Sequence, residues 1–109
     1  MKTTWGSEVE AVLNSGVSLE PFGVQGWALP QVDALAAIER LRGLGVPVVG
    51  GDAFERKSGE LVLAYANWCC ELFPGEEIAS YVDRSALVAR RFVSEYRGRD
   101  PYFAIVPRT

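Results

Sequence analysis

The residue that most often moves protons or holds metals is missing. The sequence contains no histidine. That removes the commonest general base, a frequent metal ligand and the usual activating partner of a nucleophilic serine or cysteine. Carboxylate chemistry remains, and two pairs are close in sequence: Asp52 with Glu55, and Glu76 with Glu77. Acid–base work by such a pair needs convergence in a pocket that drives the two pKa values apart. Carboxylates in a turn or at a helix start are far more often solvated, so the expectation is that the chain is not an enzyme.

The remaining chemical candidates are weaker. Cys69 and Cys70 are adjacent and have neither a second cysteine pair nor a histidine to complete a metal site. Neighbouring cysteines rarely meet disulfide geometry without strain, so free thiols in a reducing compartment are expected. Gly43, Gly45, Gly50 and Gly51 lack the spacing and the Gly-Lys-Ser/Thr ending of a phosphate loop, and read as turn glycines. Arg84, Arg90, Arg91, Arg97 and Arg99 make the last third locally basic. Without interleaved exposed aromatics they read as a solvated helix face rather than a nucleic-acid patch. Trp68, beside Asn67, stands either as an interface anchor or as a lid on the core.

Bulk properties point the same way. The 109 residues suit one small domain, taken as residues 1–109, able to bury roughly two thirds of the surface of the unfolded chain. The net charge of −3 argues against a dedicated nucleic-acid binder, which needs surplus Lys and Arg, and suits a basic partner. No apolar run approaches the ~18 residues of a membrane span. The opening Met1-Lys2-Thr3-Thr4-Trp5-Gly6 has no apolar segment behind its lysine, so no leader is expected and a cytoplasmic location is. No cofactor, metal, nucleic acid or membrane is expected.

The elements that must position these residues can be read from spacing. Ser7-Glu8-Val9-Glu10 predicts a capping box opening a first helix, which Asn14-Ser15-Gly16 stops with Gly16 left-handed. Residues 17–24 read as a connector with Phe22 tucked inward, and Gln25–Leu29 as a strand with Trp27 and Leu29 on one face. Pro30 leads a helix over Gln31–Arg42 whose buried stripe is Ala34, Leu35, Ile38 and Leu41; Gly43 and Gly45 end it.

Val46–Val49 is of strand type, Gly50-Gly51-Asp52 reads as a sharp turn or bulge, and Phe54–Arg56 and Leu61–Tyr65 form a hairpin turned at Lys57-Ser58-Gly59-Glu60. Asn67–Gly75 reads as irregular. Glu76 and Glu77 open the longest helix, which runs to about Arg97 with Ile78, Val82, Ser85, Ala89, Phe92 and Tyr96 as its stripe. Tyr102–Val106 is a last strand. The fold class is therefore α+β: one mostly antiparallel sheet of about five strands with three helices, the longest near the C-terminus.

Ordered short motifs accompany this pattern: Gly16-Val17-Ser18-Leu19, Phe22-Gly23-Val24, Trp27-Ala28-Leu29, Gly45-Val46-Pro47-Val48-Val49-Gly50-Gly51-Asp52, Tyr65-Ala66-Asn67-Trp68-Cys69-Cys70 and Tyr102-Phe103-Ala104-Ile105-Val106-Pro107. From about Ser7 to Pro107 the chain resembles the immunity protein 40 family of bacterial polymorphic toxin systems. The resemblance implies a cytoplasmic antidote, carried beside a toxin gene, that binds the toxin domain and blocks its site.

The surface expected to meet that toxin runs over Asn67–Glu77 with the Gly50–Glu55 turn beside it. Asp52, Glu55, Asn67, Trp68, Glu71, Glu76 and Glu77 are its candidate residues, Trp68 as anchor and the carboxylates as charge partners of a basic cleft. A monomer or weak dimer is expected. Two rivals use the same residues differently: a regulatory interaction domain unrelated to toxins, and a small carboxylate hydrolase or transferase, which would need a deep pocket of convergent acids.

Overall fold

The computed structural model describes residues 5–108; Met1–Thr4, most of the stretch read for a leader, lie outside them. Along the chain come α1 (Ser7–Leu13), β1 (Val17–Ser18), a 3-10 turn (Glu20–Phe22), β2 (Trp27–Pro30), α2 (Gln31–Gly43), β3 (Val48–Lys57), β4 (Glu60–Cys69), α3 (Ile78–Glu95) and β5 (Pro101–Pro107). The strands form one sheet in the order β1-β2-β5-β3-β4, every neighbouring pair antiparallel. The α+β class, three helices and five strands match the patterning.

Several local expectations fail for identifiable reasons. Gly50-Gly51-Asp52 is not a turn: β3 runs straight through it, paired with β4 on one side and β5 on the other. The irregularity sits one residue earlier, at Val49, which has no partner on β5. Asn67-Trp68-Cys69 is not irregular either, because β4 extends to Cys69 along β3. Ser7 does not cap α1. Gly6 is the extended residue before the helix, and its carbonyl accepts the Glu10 N–H at 3.0 Å. Gly16 is not left-handed; any Cβ there would strike the Ala28 carbonyl of β2. Pro30 precedes α2 instead of opening it.

α2 ends as expected at Gly45, whose φ of 74° places it in the left-handed region. Gly45 N–H bonds the Arg42 carbonyl and Val46 N–H the Leu41 carbonyl, closing the helix with paired backbone bonds. The Ser58-Gly59 turn, with φ of 52° and 82°, joins β3 to β4 at the Lys57–Glu60 pair. Both central residues are left-handed, as a two-residue hairpin matching strand twist requires. α3 is shorter than the spacing predicts. Glu77 is extended before it, and Tyr96 leaves it extended with its ring against Phe103.

Successive strand residues point to opposite faces. On one face, Leu29, Ala53, Trp68, Phe103 and Ile105 meet Ala34, Ile38 and Leu41 of α2, Ala86, Ala89 and Val93 of α3, and Val9, Val12 and Leu13 of α1. Ile78, placed in the stripe by spacing, is half exposed, and Tyr81 takes the inward position. On the opposite face a small cluster joins Ala28, Phe54 and Ala104 to Leu19 of the loop after β1. Phe22 lies edge-on to Phe54 at 5.2 Å rather than tucked inside. No helical residue belongs to that cluster. Asn67, Cys69 and Val106 on the same face are exposed.

Candidate functional site

The seven residues read as a contact surface divide into four places. Asp52 of β3 and Asn67 of β4 are direct cross-strand partners. Both alternate with inward-facing Gly51 and Trp68, so they stand side by side on the face without helices. Glu55 lies three residues further along β3, about 10 Å at 3.3 Å per residue, and points to the helical side. There its Oε2 accepts the Tyr96 hydroxyl at 2.7 Å. Burial, and then that bond, pushes the Tyr96 phenol up to about 12.

Trp68 faces inward and is 8% exposed. Its ring stacks obliquely on Phe92 at 4.7 Å and covers the backbone of Gly51. It therefore closes the core at the β4 side, which is the lid of the two roles its sequence position left open. Its Nε1–H is buried without an acceptor among the described residues.

Glu71, Glu76 and Glu77 lie on the loop between β4 and α3, organised by Arg84 of α3. The Arg84 guanidinium donates to Glu76 Oε2 at 2.8 Å and Oε1 at 2.6 Å, to the Glu71 carbonyl at 2.7 Å and to Cys70 Sγ at 3.0 Å. It also lies over the Phe73 ring at 3.8 Å. Glu76 Oε1 accepts the Phe73 N–H at 3.0 Å, and the Tyr81 hydroxyl donates to the Cys70 carbonyl at 2.6 Å. The Arg84 bonds, helped by Phe73 N–H, hold the Glu76 carboxyl down at about 2. Burial, reinforced by Cys70, pushes the Tyr81 phenol up.

Glu76 is thus spent on fixing the loop. Glu71 and Glu77 are exposed and enter no ion pair among the described residues. Arg84 corrects the reading of the arginines as one solvated face. Its partner Glu76 precedes α3, so helical spacing gives no hint of the pairing.

A cavity of about 460 Å³ at the hairpin end is lined by Glu55, Arg56, Lys57, Ser58 and Arg99. Another, of about 310 Å³, lies between α1 and the end of α2, with Glu8 its single carboxylate. Neither gathers convergent acids. Among the described residues no three His, Cys, Asp or Glu side chains group as metal ligands. Both cysteines are free, Cys69 exposed and Cys70 buried. No helix among the described residues is long and apolar enough to cross a membrane.

One residue escaped sequence reasoning altogether. Tyr65 of β4 has a φ of 58° and is 87% exposed. Neither periodicity nor propensity signals a tyrosine in the left-handed region, where glycine and asparagine are usual.

Comparison with curated proteins gives no match, and comparison with solved structures gives none. The family model described as Immunity protein 40 matches residues 18–107, from β1 to the end of β5. With most of its length matched, the chain belongs to the Immunity protein 40 family.

Proposed function

We propose that this protein is a toxin-neutralising immunity protein that acts in the cytoplasm, binding a cognate bacterial toxin domain one-to-one and blocking its site without catalysis. Membership of the Immunity protein 40 family carries this reading. The surface is compatible with it. A sheet face free of helices carries Asp52 and Asn67, and Glu71 and Glu77 stand on the adjoining loop that Arg84 makes rigid. A pre-formed loop loses little entropy on binding, and unpaired carboxylates speed association with a basic cleft. Trp68 belongs to the support of this surface, and Glu55 stands apart from it on the helical side.

Calorimetric titration against the purified C-terminal domain encoded beside the gene tests the proposal. Saturation near one-to-one, with loss of that domain's toxicity, is expected. Absence of binding at micromolar concentration would leave a regulatory interaction domain unrelated to toxins. A variant with Asp52, Glu71 and Glu77 reversed to lysine is expected to protect cells poorly. Full protection by that variant would move the interface elsewhere.

A further inference from the structure

β4 is the last strand of the sheet, so one of its backbone edges has no strand partner. Its pairing with β3 is interrupted halfway. Ala53 pairs with Ala66 and Phe54 with Leu63, so Ala64 and Tyr65 have no partner on β3. At this bulge Tyr65 adopts a φ of 58° and holds its ring 87% exposed, the most exposed large hydrophobic side chain among the described residues. A bulge on an edge strand discourages pairing with another copy of the chain. That purpose explains the bulge and not the tyrosine. Guarding an edge calls for charge or proline, and the left-handed position calls for glycine or asparagine. An aromatic ring there adds apolar area exactly where self-association is to be avoided, and it requires backbone strain to keep it in place. Strain retained at an exposed position is a mark of use.

The surroundings indicate what the ring meets. From Glu60 to Glu77 the sequence has four carboxylates and no lysine or arginine. Arg84 neutralises Glu76 and Glu60 stands across the ladder from Lys57, while Glu71 and Glu77 are exposed and enter no ion pair among the described residues. An exposed tyrosine on a strand that leads into the unpaired Glu71 and Glu77 has the character of an interface anchor with charge beside it.

We infer that Tyr65 is the anchor by which this protein holds its partner, its ring entering an apolar pocket that is rimmed by lysine or arginine on a foreign protein surface. The inference rests on the immunity reading and deepens it by replacing Trp68 with Tyr65 as the aromatic contact.

The test is titration of wild type, Tyr65→Gly and Tyr65→Phe against the domain encoded beside the gene, with thermal melts and sizing of each variant. Glycine accepts the left-handed backbone, so Tyr65→Gly is expected to melt at or above the wild-type temperature while its Kd rises roughly 30-fold or more. Tyr65→Phe keeps the ring and is expected to bind within about fivefold of wild type, since most of the anchor's contribution is apolar. Tyr65→Gly binding as tightly as wild type overturns the inference and leaves the immunity reading intact. A wild-type protein that does not bind overturns the immunity reading and this inference with it. A wild-type dimer that Tyr65→Gly abolishes would make the occupant a second copy and overturn the foreign pocket.

Discussion

Gly51 lies opposite Trp68 across the β3–β4 ladder, and a Cβ on Gly51 would run into the Trp68 indole on one side and the Ala104 carbonyl on the other. The indole is therefore laid against bare backbone, and the ring that closes the core at the β4 side depends on a residue with no side chain. Gly51→Ala is expected to cost about 1–3 kcal/mol, because neither β5 nor the Phe92-backed ring can retreat freely. Gly43→Ala, at the end of α2, is the contrast. Its Cβ would meet nothing, so the change is expected to stabilise by about 0.5–1 kcal/mol. Urea denaturation of the two variants measures both signs. An unchanged midpoint for Gly51→Ala would show that the indole has room to move.

Ser85 joins the longest helix to the sheet. It is fully buried, accepts the Val48 N–H at 3.1 Å and donates to the Val82 carbonyl at 3.2 Å. Val48 opens β3 next to Val49, which has no partner on β5. Ser85→Ala leaves a buried N–H without a partner and is expected to cost about 1–3 kcal/mol. Hydrogen exchange should show the Val48 amide losing protection in step with the drop in stability. Retained protection at Val48 would argue that another acceptor takes over.

These two sites mark where sequence reasoning succeeds and where it stops. Ser85 was placed in the buried stripe by helical spacing alone, and α2, its glycine end and the β3–β4 hairpin were legible from pattern and turn chemistry. Local propensity reads the paired Gly50-Gly51 as a turn or bulge, and of the two only an irregularity one residue away, at Val49, is present. In the fold the two glycines are the part of a central strand over which a large ring must pass. The same long-range packing carried β4 through Asn67-Trp68-Cys69 and turned Trp68 inward. Of the expected contact residues, only Asp52 and Asn67 are direct neighbours across the sheet. The Glu76–Arg84 lock is also tertiary, since its members belong to a loop and a helix.

That lock makes the β4–α3 loop acid-sensitive. The Glu76 carboxyl ordinarily titrates near 4.5, and the Arg84 guanidinium holds it at about 2. Its contribution to stability is fully present above about pH 4.5, where the unfolded chain is also ionised, and is lost as the pH falls towards 2. Glu76→Gln is expected to flatten the pH dependence of denaturant stability across that window. Arg84→Met should do the same and also release the loop, seen as faster amide exchange over residues 70–77 at neutral pH. Because Arg84 is the only cation bonded to the loop among the described residues, a rigid loop in Arg84→Met would mean that Phe73 and Tyr81 suffice to hold it.

Tyr96 gives the opposite dependence at the other end of the pH scale. Burial first, and then its bond to Glu55, raise its phenol from 10.0 to about 12. The folded protein keeps this proton between pH 10 and 12, where the unfolded chain releases it, so the tyrosine's contribution is complete below pH 10 and declines as the pH climbs through the window. Tyr96→Phe cannot ionise. It is expected to lose about 1 kcal/mol at neutral pH with the hydrogen bond, yet to show a shallower decline above pH 10 than wild type. Denaturation series from pH 8 to 12 on both proteins would show their stabilities converging as the pH rises. Parallel curves would place the alkaline sensitivity elsewhere, with Tyr81, whose phenol burial also raises, as the next residue to replace by phenylalanine.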